Sequence, residues 1–189
     1  MSVLKYRDIY STEFLKKFDS NSDQIGSLEI DLNIDPSIDV REIADILNIK
    51  IEELIMTDSG RYDANKKTIF VNSIEPEYRQ RFTIAHEMGH AVLGHEGVSY
   101  RSDILDKYED TIKKSREVRA NKFAAELLMP KDLVFKLVMK LIEEENLDST
   151  SLEYSQVEEI IKNCAKKLNV SEISMKYAIQ NNRIFVTKG

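Results

Sequence analysis

The chain has 189 residues, of which 42% are hydrophobic and 32% charged, a balance typical of a globular domain rather than a disordered or fibrous chain. Its formal net charge of -6 argues against a general nucleic-acid binder, which would carry a basic balance or a basic stripe. The single cysteine, Cys164, excludes an internal disulfide and is expected to be a small buried side chain.

The N-terminal segment lacks the features of a secretory leader. Charged residues such as Lys5, Arg7 and Asp8 interrupt it, so it contains no apolar core segment. No run of 18 apolar residues occurs anywhere in the sequence, and a transmembrane helix is therefore not expected. We predict a cytoplasmic protein.

The first half of the chain reads as short helices followed by two strands. Residues 6–18 can form a helix, and residues 19–26 are polar and turn-like. An amphipathic helix is predicted over 39–47, with Asp39 as its N-cap. The β-branched and aromatic composition of 68–72, with a partner at 59–63, predicts a pair of strands.

The second half reads as a series of helices. One begins near Pro76 and runs to about residue 93 or 94, and after a mixed loop with a short helix over 100–114 a strongly helical segment covers 115–129. Pro130 then begins the next helix. Further elements are expected in order: helices over 131–145, 156–168 and 172–180, and a last short strand over 183–186.

The most informative string is His86-Glu87-Met88-Gly89-His90, an H-E-x-x-H motif inside a helical segment. Residues four apart on a helix differ by about 40° in direction, so both imidazoles share one face and can bind one ion. Glu87 lies about 100° from His86, beside the metal rather than facing it. A carboxylate there can accept a proton from a metal-activated water and return it to a leaving amine.

A catalytic zinc usually has three protein ligands, so a third is needed. His95 is one candidate, but on a continuing helix it would point about 140° away from His90. Glu117 is another candidate. Asn121, Ala124 and Leu128 lie on the same face of the predicted helix, and their composition indicates that this face points into the protein. Glu126 is a third candidate, although it lies off that face.

Together these segments resemble the ImmA/IrrE family of metallopeptidases. The resemblance rests on residues 81–90 and on Glu117, Ala120, Asn121 and the stretch 123–130. It implies that His86 and His90 are zinc ligands, that Glu87 is the catalytic base and that Glu117 is the third ligand.

The resemblance also implies an intracellular enzyme, often encoded by bacteria, phages and mobile genetic elements, that cleaves a helix-turn-helix repressor and so relieves transcriptional repression. Zinc is the implied metal, and manganese accepts the same ligand types. Such proteases usually bind extended substrate at an edge strand of the sheet before the motif helix, and 68–72 is our candidate for that strand.

Two other classes of function compete with this interpretation. Residues 165–177 also resemble a helix-turn-helix, which would suit a DNA-binding or protein-interaction module, but residues 171–179 contain no Arg to read a groove. A non-proteolytic metal-binding regulator is the other alternative. The presence of Glu87 favours chemistry, because metal binding alone does not require it.

The predicted fold is α+β and zincin-like, mostly helical, with a small sheet before the motif helix and helices after Pro130. We expect a metallopeptidase core over 1–130, of which 1–35 is poorly defined, and a C-terminal helical extension over 131–189.

Overall fold

A computed structural model of the protein describes residues 3–95 and 106–185. It is a mixed α+β structure, about 59% helical, which confirms the predicted class. The described residues form two compact units. Residues 39–124 make one unit, and residues 1–38 together with 125–189 make the other.

The unit formed by 39–124 contains a three-stranded sheet. Its strands are β3 (Lys50–Leu54), β4 (Gly60–Asp63) and β5 (Thr68–Asn72), in the order β3-β5-β4. The strand β5 is parallel to β3 and antiparallel to β4. The predicted strands before the motif helix are therefore present, whereas β3 was not predicted because its sequence carries Lys50, Glu52 and Glu53, which are poor strand formers.

The prediction that 68–72 is an edge strand is wrong. Strand β5 pairs on both sides and all five of its residues are buried, which makes it the central strand. Its Ile69-Phe70-Val71 core is the continuous apolar run expected of a strand covered on both faces. The edges of this sheet are β3 and β4.

Three helices complete this unit. Helix α3 (Val40–Ile46) begins at Asp39, whose side chain accepts hydrogen bonds from the backbone N–H groups of Arg41 and Glu42, as predicted for an N-cap. Helix α4 (Glu77–Val92) packs on β4 and β5. Helix α5 (Asp106–Leu128) contributes its residues up to Ala124 to this unit.

The second unit begins with a segment that differs from its prediction. Strand β1 (Val3–Lys5) pairs antiparallel with β2 (Glu29–Asp31), and α1 (Thr12–Leu15) and α2 (Ser22–Ser27) lie between them with two 3-10 turns. The expected single helix over 6–18 is interrupted, because Ser11 caps α1. The segment 19–26 was expected to be turn-like, but its residues 22–26 belong to helix α2.

An aromatic series orders this N-terminal segment. Tyr6, Tyr10, Phe14 and Phe18 are buried and in contact, with ring centroids 5.7, 4.9 and 5.6 Å apart along the series. Such contacts add stability beyond the burial of apolar area. The spacing of four residues is visible in the sequence.

The C-terminal helices lie close to their predicted positions. They are α6 (Lys131–Glu144), α7 (Tyr154–Leu168) and α8 (Glu172–Asn181). Cys164 on α7 is buried as predicted, and burial raises the pKa of its thiol to about 12, so it stays protonated. The predicted strand over 183–186 is wrong for 183–185, which form a turn and a bend, and residue 186 lies outside the described residues.

The segment predicted as a loop with a short helix over 100–114 is helical from Asp106, and its first residues lie outside the described range. The domain division at residue 130 remains a prediction. The compact units group the chain differently, because residues 1–38 belong with the C-terminal helices. No helix among the described residues is long and apolar enough to cross a membrane.

Candidate metal centre

Helix α4 carries the H-E-x-x-H motif between a buried face and an open one. Ile84, Ala85 and Met88 are buried, whereas His86 and His90 are partly accessible. This follows from helical periodicity, since residues 84, 85 and 88 lie on the apolar side. The two imidazoles therefore emerge together, with ring centroids 4.8 Å apart.

A glycine lets α5 approach α4 closely at this point. A Cβ atom on Gly89 would lie 3.0 Å from the ring of Phe123 and 3.3 Å from the backbone of Ala120. Because Gly89 has no side chain, the two helices can touch there. Glu117 lies one turn before Ala120, and this contact brings its carboxylate to the histidines.

Side-chain atoms of three residues converge at the centre. The Nε2 atom of His86 lies 3.1 Å from Nε2 of His90 and 3.2 Å from Oε2 of Glu117. Nε2 of His90 lies 3.4 Å from Oε1 of Glu117. The structure thus brings together the three residues predicted as ligands, and their donor atoms all lie within 4.8 Å of one another.

These separations fit a metal ion. Ligand atoms at the usual zinc distances in a tetrahedral site are about 3.3 to 3.5 Å apart. Atoms that present lone pairs to one another at such distances repel unless a cation or a proton lies between them. The donor set, two imidazoles and one carboxylate, leaves a fourth position for water or substrate.

The orientation of His86 is fixed from the other side of its ring. Its Nδ1 atom lies 2.9 Å from Oδ1 of Asn121, on the same helix face as Glu117. An amide oxygen only accepts hydrogen bonds, so Nδ1 carries the proton and Nε2 presents its lone pair. Partners of this kind orient metal ligands and hold their tautomer.

The other two ligand candidates lie elsewhere. His95 faces the Nδ1 side of His90, at 3.1 Å, and not the Nε2 side that faces Glu117. Glu126 forms an ion pair with Lys17 at 3.0 Å. Neither belongs to the group of converging donor atoms.

Glu87 lies beside the centre and has a perturbed acidity. Burial raises the pKa of its carboxyl group above the usual range, while His86 and the backbone N–H of Tyr62 oppose that shift and Glu117 adds to it. Tyr62 belongs to β4, so an edge strand of the sheet reaches the motif helix. A carboxyl group with a raised pKa holds a proton more readily than a solvated one, which suits a group that accepts and releases protons.

Another glycine explains how β4 comes so close. A Cβ atom on Gly60 would overlap the methyl group of Thr83 on α4 and lie 2.7 Å from the carbonyl oxygen of Phe70. Any larger residue would push β4 away from the helix. The role of this strand was not predicted, although a glycine inside a strand signals close approach by another element.

The sequence also matches a known family. The profile of the Peptidase_M78 family, described as the IrrE N-terminal-like domain, matches residues 44–180. The chain belongs to this family. Membership confirms the resemblance to ImmA/IrrE metallopeptidases.

Two relatives are radiation response metalloproteases named IrrE. The chain is 43% identical to the one from Deinococcus deserti over 84 residues, which cover 43% of the chain and 29% of that protein. It is 31% identical to the one from Deinococcus radiodurans over 122 residues, covering 64% of the chain and 33% of that protein. The match thus spans about a third of these relatives.

A solved structure shares the fold. A Mycobacterium tuberculosis transcriptional regulator superposes with a TM-score of 0.52 at 15% identity, covering 93% of this chain and half (50%) of that one. At this identity the match describes the fold alone. It extends over nearly all of the chain.

Proposed function

We propose that this protein is a zinc-dependent endopeptidase in which His86, His90 and Glu117 hold the metal and Glu87 is the general base. The observation that carries the proposal is the convergence of donor atoms from three residues, with each pair of residues 3.1 to 3.4 Å apart at its ligand atoms, next to a partly buried carboxyl group. Family membership supports the metallopeptidase class. The donor set favours zinc, and manganese remains the alternative metal.

The chain's own groups account for the proton transfers of peptide hydrolysis. When bound, the metal supplies Lewis-acid activation of water and of the peptide carbonyl. Glu87 accepts the proton that the water loses and delivers it to the leaving amine. The backbone N–H of Tyr62 orients the carboxylate for both transfers, and burial makes the protonated state accessible.

The strand β4 is the best-placed edge for an extended substrate. It is an edge of the sheet, and its Tyr62 contacts Glu87, so a peptide paired with β4 would run past the general base. Edge-strand pairing recognises the backbone, with side-chain pockets adding selectivity. In this proposal β4 takes the role that we had expected of β5.

We further propose that the substrate is a helix-turn-helix repressor and that cleavage takes place in the cytoplasm. The support is family membership, because the resemblance to ImmA/IrrE metallopeptidases implies such a target. The helices α7 and α8 are then a protein-contacting element and not a DNA reader. Their exposed residues include three acids, Glu158, Glu159 and Glu172, against three lysines, Lys162, Lys166 and Lys176, so these helices lack the basic excess that phosphate binding requires.

Incubation with candidate repressors tests this function. The zinc-loaded protein is mixed with each helix-turn-helix repressor of the same genome, and products are identified by intact-mass spectrometry. We expect one or a few defined cuts in one repressor, and none when a zinc chelator is present. Intact repressors throughout, with a zinc-loaded enzyme that also leaves unfolded protein substrates uncut, would contradict the proposed peptidase.

A further inference from the structure

We propose that His95 is a positioning residue for the metal centre: it accepts a hydrogen bond from Nδ1 of His90 and so directs the Nε2 lone pair of His90 at the metal. The inference rests on the proposed function, in which His90 binds the metal through Nε2. It concerns the end of α4, just beyond the H-E-x-x-H motif.

The end of helix α4 builds this contact. Gly94 adopts a left-handed conformation, with φ of +62°, and donates its N–H to the carbonyl of Ala91. The N–H of His95 bonds to the carbonyl of His90 at 3.0 Å. This pair of bonds is a Schellman motif, which reverses the chain and folds residue 95 back over the last turn.

The chain reversal explains why helical geometry misplaced His95. On a continuing helix its side chain would point about 140° away from His90. Because the helix ends at Val92, the His95 ring instead packs against the His90 ring, with centroids 5.1 Å apart. The two Nδ1 atoms are 3.1 Å apart, which is hydrogen-bond distance.

Only one direction of this hydrogen bond leaves His90 able to bind metal. If His95 donated, the proton of a neutral His90 would lie on Nε2, the atom that faces His86 and Glu117. If His90 donates, its Nε2 is free and His95 is the acceptor. The metal-binding arrangement therefore requires an acceptor at the position of the His95 Nδ1 atom.

The burial of His95 argues against a role in packing alone. The residue is only 7% exposed, and its Nε2 atom has no hydrogen-bond partner among the described residues. When Nδ1 accepts, that buried Nε2 carries the proton, which is unfavourable for stability. An apolar residue would fill this space without such a cost, so the imidazole is explained by what its Nδ1 provides.

Two substitutions distinguish the hydrogen-bond acceptor of His95 from the volume of its ring. His95→Asn places an amide oxygen near the position of Nδ1 and keeps the acceptor. His95→Phe keeps the volume of the ring but removes the hydrogen-bond acceptor. Zinc affinity, measured by competition with a chromophoric chelator, is expected to fall about 10- to 100-fold in the Phe variant, as for other partners of metal-binding histidines. The Asn variant should stay close to the unsubstituted protein.

A stability readout distinguishes positioning from folding. The metal-free Phe variant should unfold at the same or a higher temperature than the metal-free original, because it no longer buries an N–H group that has no partner among the described residues. In nitrogen-15 spectra of the zinc-loaded protein, the proton on Nδ1 of His90 should be retained in the Asn variant and exchange faster in the Phe variant.

Three results are decisive. Unchanged zinc affinity in His95→Phe would overturn the inference while leaving the proposed function intact. An equal loss of affinity in both variants, with lower metal-free stability, would also overturn it, because the residue would then be merely structural. If the unsubstituted protein binds no zinc, the proposed function itself fails, and that outcome is recognisable before any variant is compared.

Discussion

At the scale of single residues, the candidate centre depends on where its protons lie. Asn121 holds the proton of His86 on Nδ1, which leaves Nε2 free for a metal. Glu87 differs from the metal-binding side chains because it gains and loses a proton during the proposed reaction. Metal binding and proton transfer are thus assigned to different side chains, and substitutions can separate them.

Replacing Glu87 by Gln should abolish cleavage and leave metal content unchanged. The amide has nearly the same size but cannot accept the proton of the attacking water, so we expect a rate loss of about 100-fold or more. Zinc content is measured on the same preparation as cleavage of the repressor that the incubation assay identifies. Loss of zinc along with activity would mean that Glu87 supports the metal site and does not act as a base.

At the scale of elements, the site depends on two close contacts made by α4. Gly89 allows α5 to approach from one side, and Gly60 allows β4 to approach from another. The first contact brings Glu117 to the histidines and the second brings Tyr62 to Glu87. Both glycines act by leaving space.

Gly89→Ala should destabilise the protein and weaken metal binding. A Cβ atom at position 89 would lie 3.3 Å from the backbone of Ala120. To relieve this tight contact α5 must shift, and Glu117 shifts with it. We expect a loss of about 1 to 3 kcal/mol in the free energy of unfolding, measured by denaturant titration, and lower zinc affinity.

The same substitution at Gly26 on α2 is the control. Its Cβ would meet no atom closer than 3.4 Å. Gly26→Ala should therefore be neutral or slightly stabilising, because alanine is the better helix former. Equal behaviour of the two variants would show that the close contact at Gly89 is unimportant.

The sequence predicted these elements unevenly, and the reasons are physical. The helical stripe from Glu117 through Asn121 to Ala124 follows from periodicity alone, which is why the α5 side of the site could be anticipated. The position of His95 depends on where α4 ends. Gly94 indicated that end, but a helix extended past it gives the wrong direction for every later residue.

Strand order could not be derived in the same way. The composition of 68–72 predicts a strand, but edge or central position depends on whether another segment pairs with it. The partner β3 is rich in charged residues, so its pairing with β5 is a tertiary effect. The continuous apolar run within β5 was the available signal for a central strand.

At the scale of the whole molecule, the described chain has two compact units and the candidate centre lies in one of them. All of its residues fall within 39–124. The other unit joins the N-terminal segment to the C-terminal helices. There, the hydroxyl of Tyr10 donates a buried hydrogen bond, 2.6 Å long, to the carbonyl oxygen of Leu127.

Tyr10→Phe should lower stability without affecting the metal. The Leu127 carbonyl lies in the last turn of α5, where no helical N–H is available to it. Removing the Tyr10 hydroxyl therefore leaves this buried acceptor without its hydrogen bond. We expect a cost of about 1 to 3 kcal/mol in thermal or denaturant unfolding.

Tyr177→Phe provides the control, because that side chain is 61% exposed and its change should cost little. An unchanged stability of Tyr10→Phe would contradict the role of this bond. A loss of zinc in the same variant would show that the centre depends on the first 38 residues, a dependence that we do not expect.

The central claim is that His86, His90 and Glu117 form one metal site, and metal content tests it most directly. Elemental analysis compares the purified protein with Glu117→Ala after both are supplied with zinc and dialysed. We predict about one zinc per chain in the unsubstituted protein and a strong loss in the variant, because two imidazoles alone hold zinc weakly. Equal zinc in both proteins, or none in either, would contradict the claim.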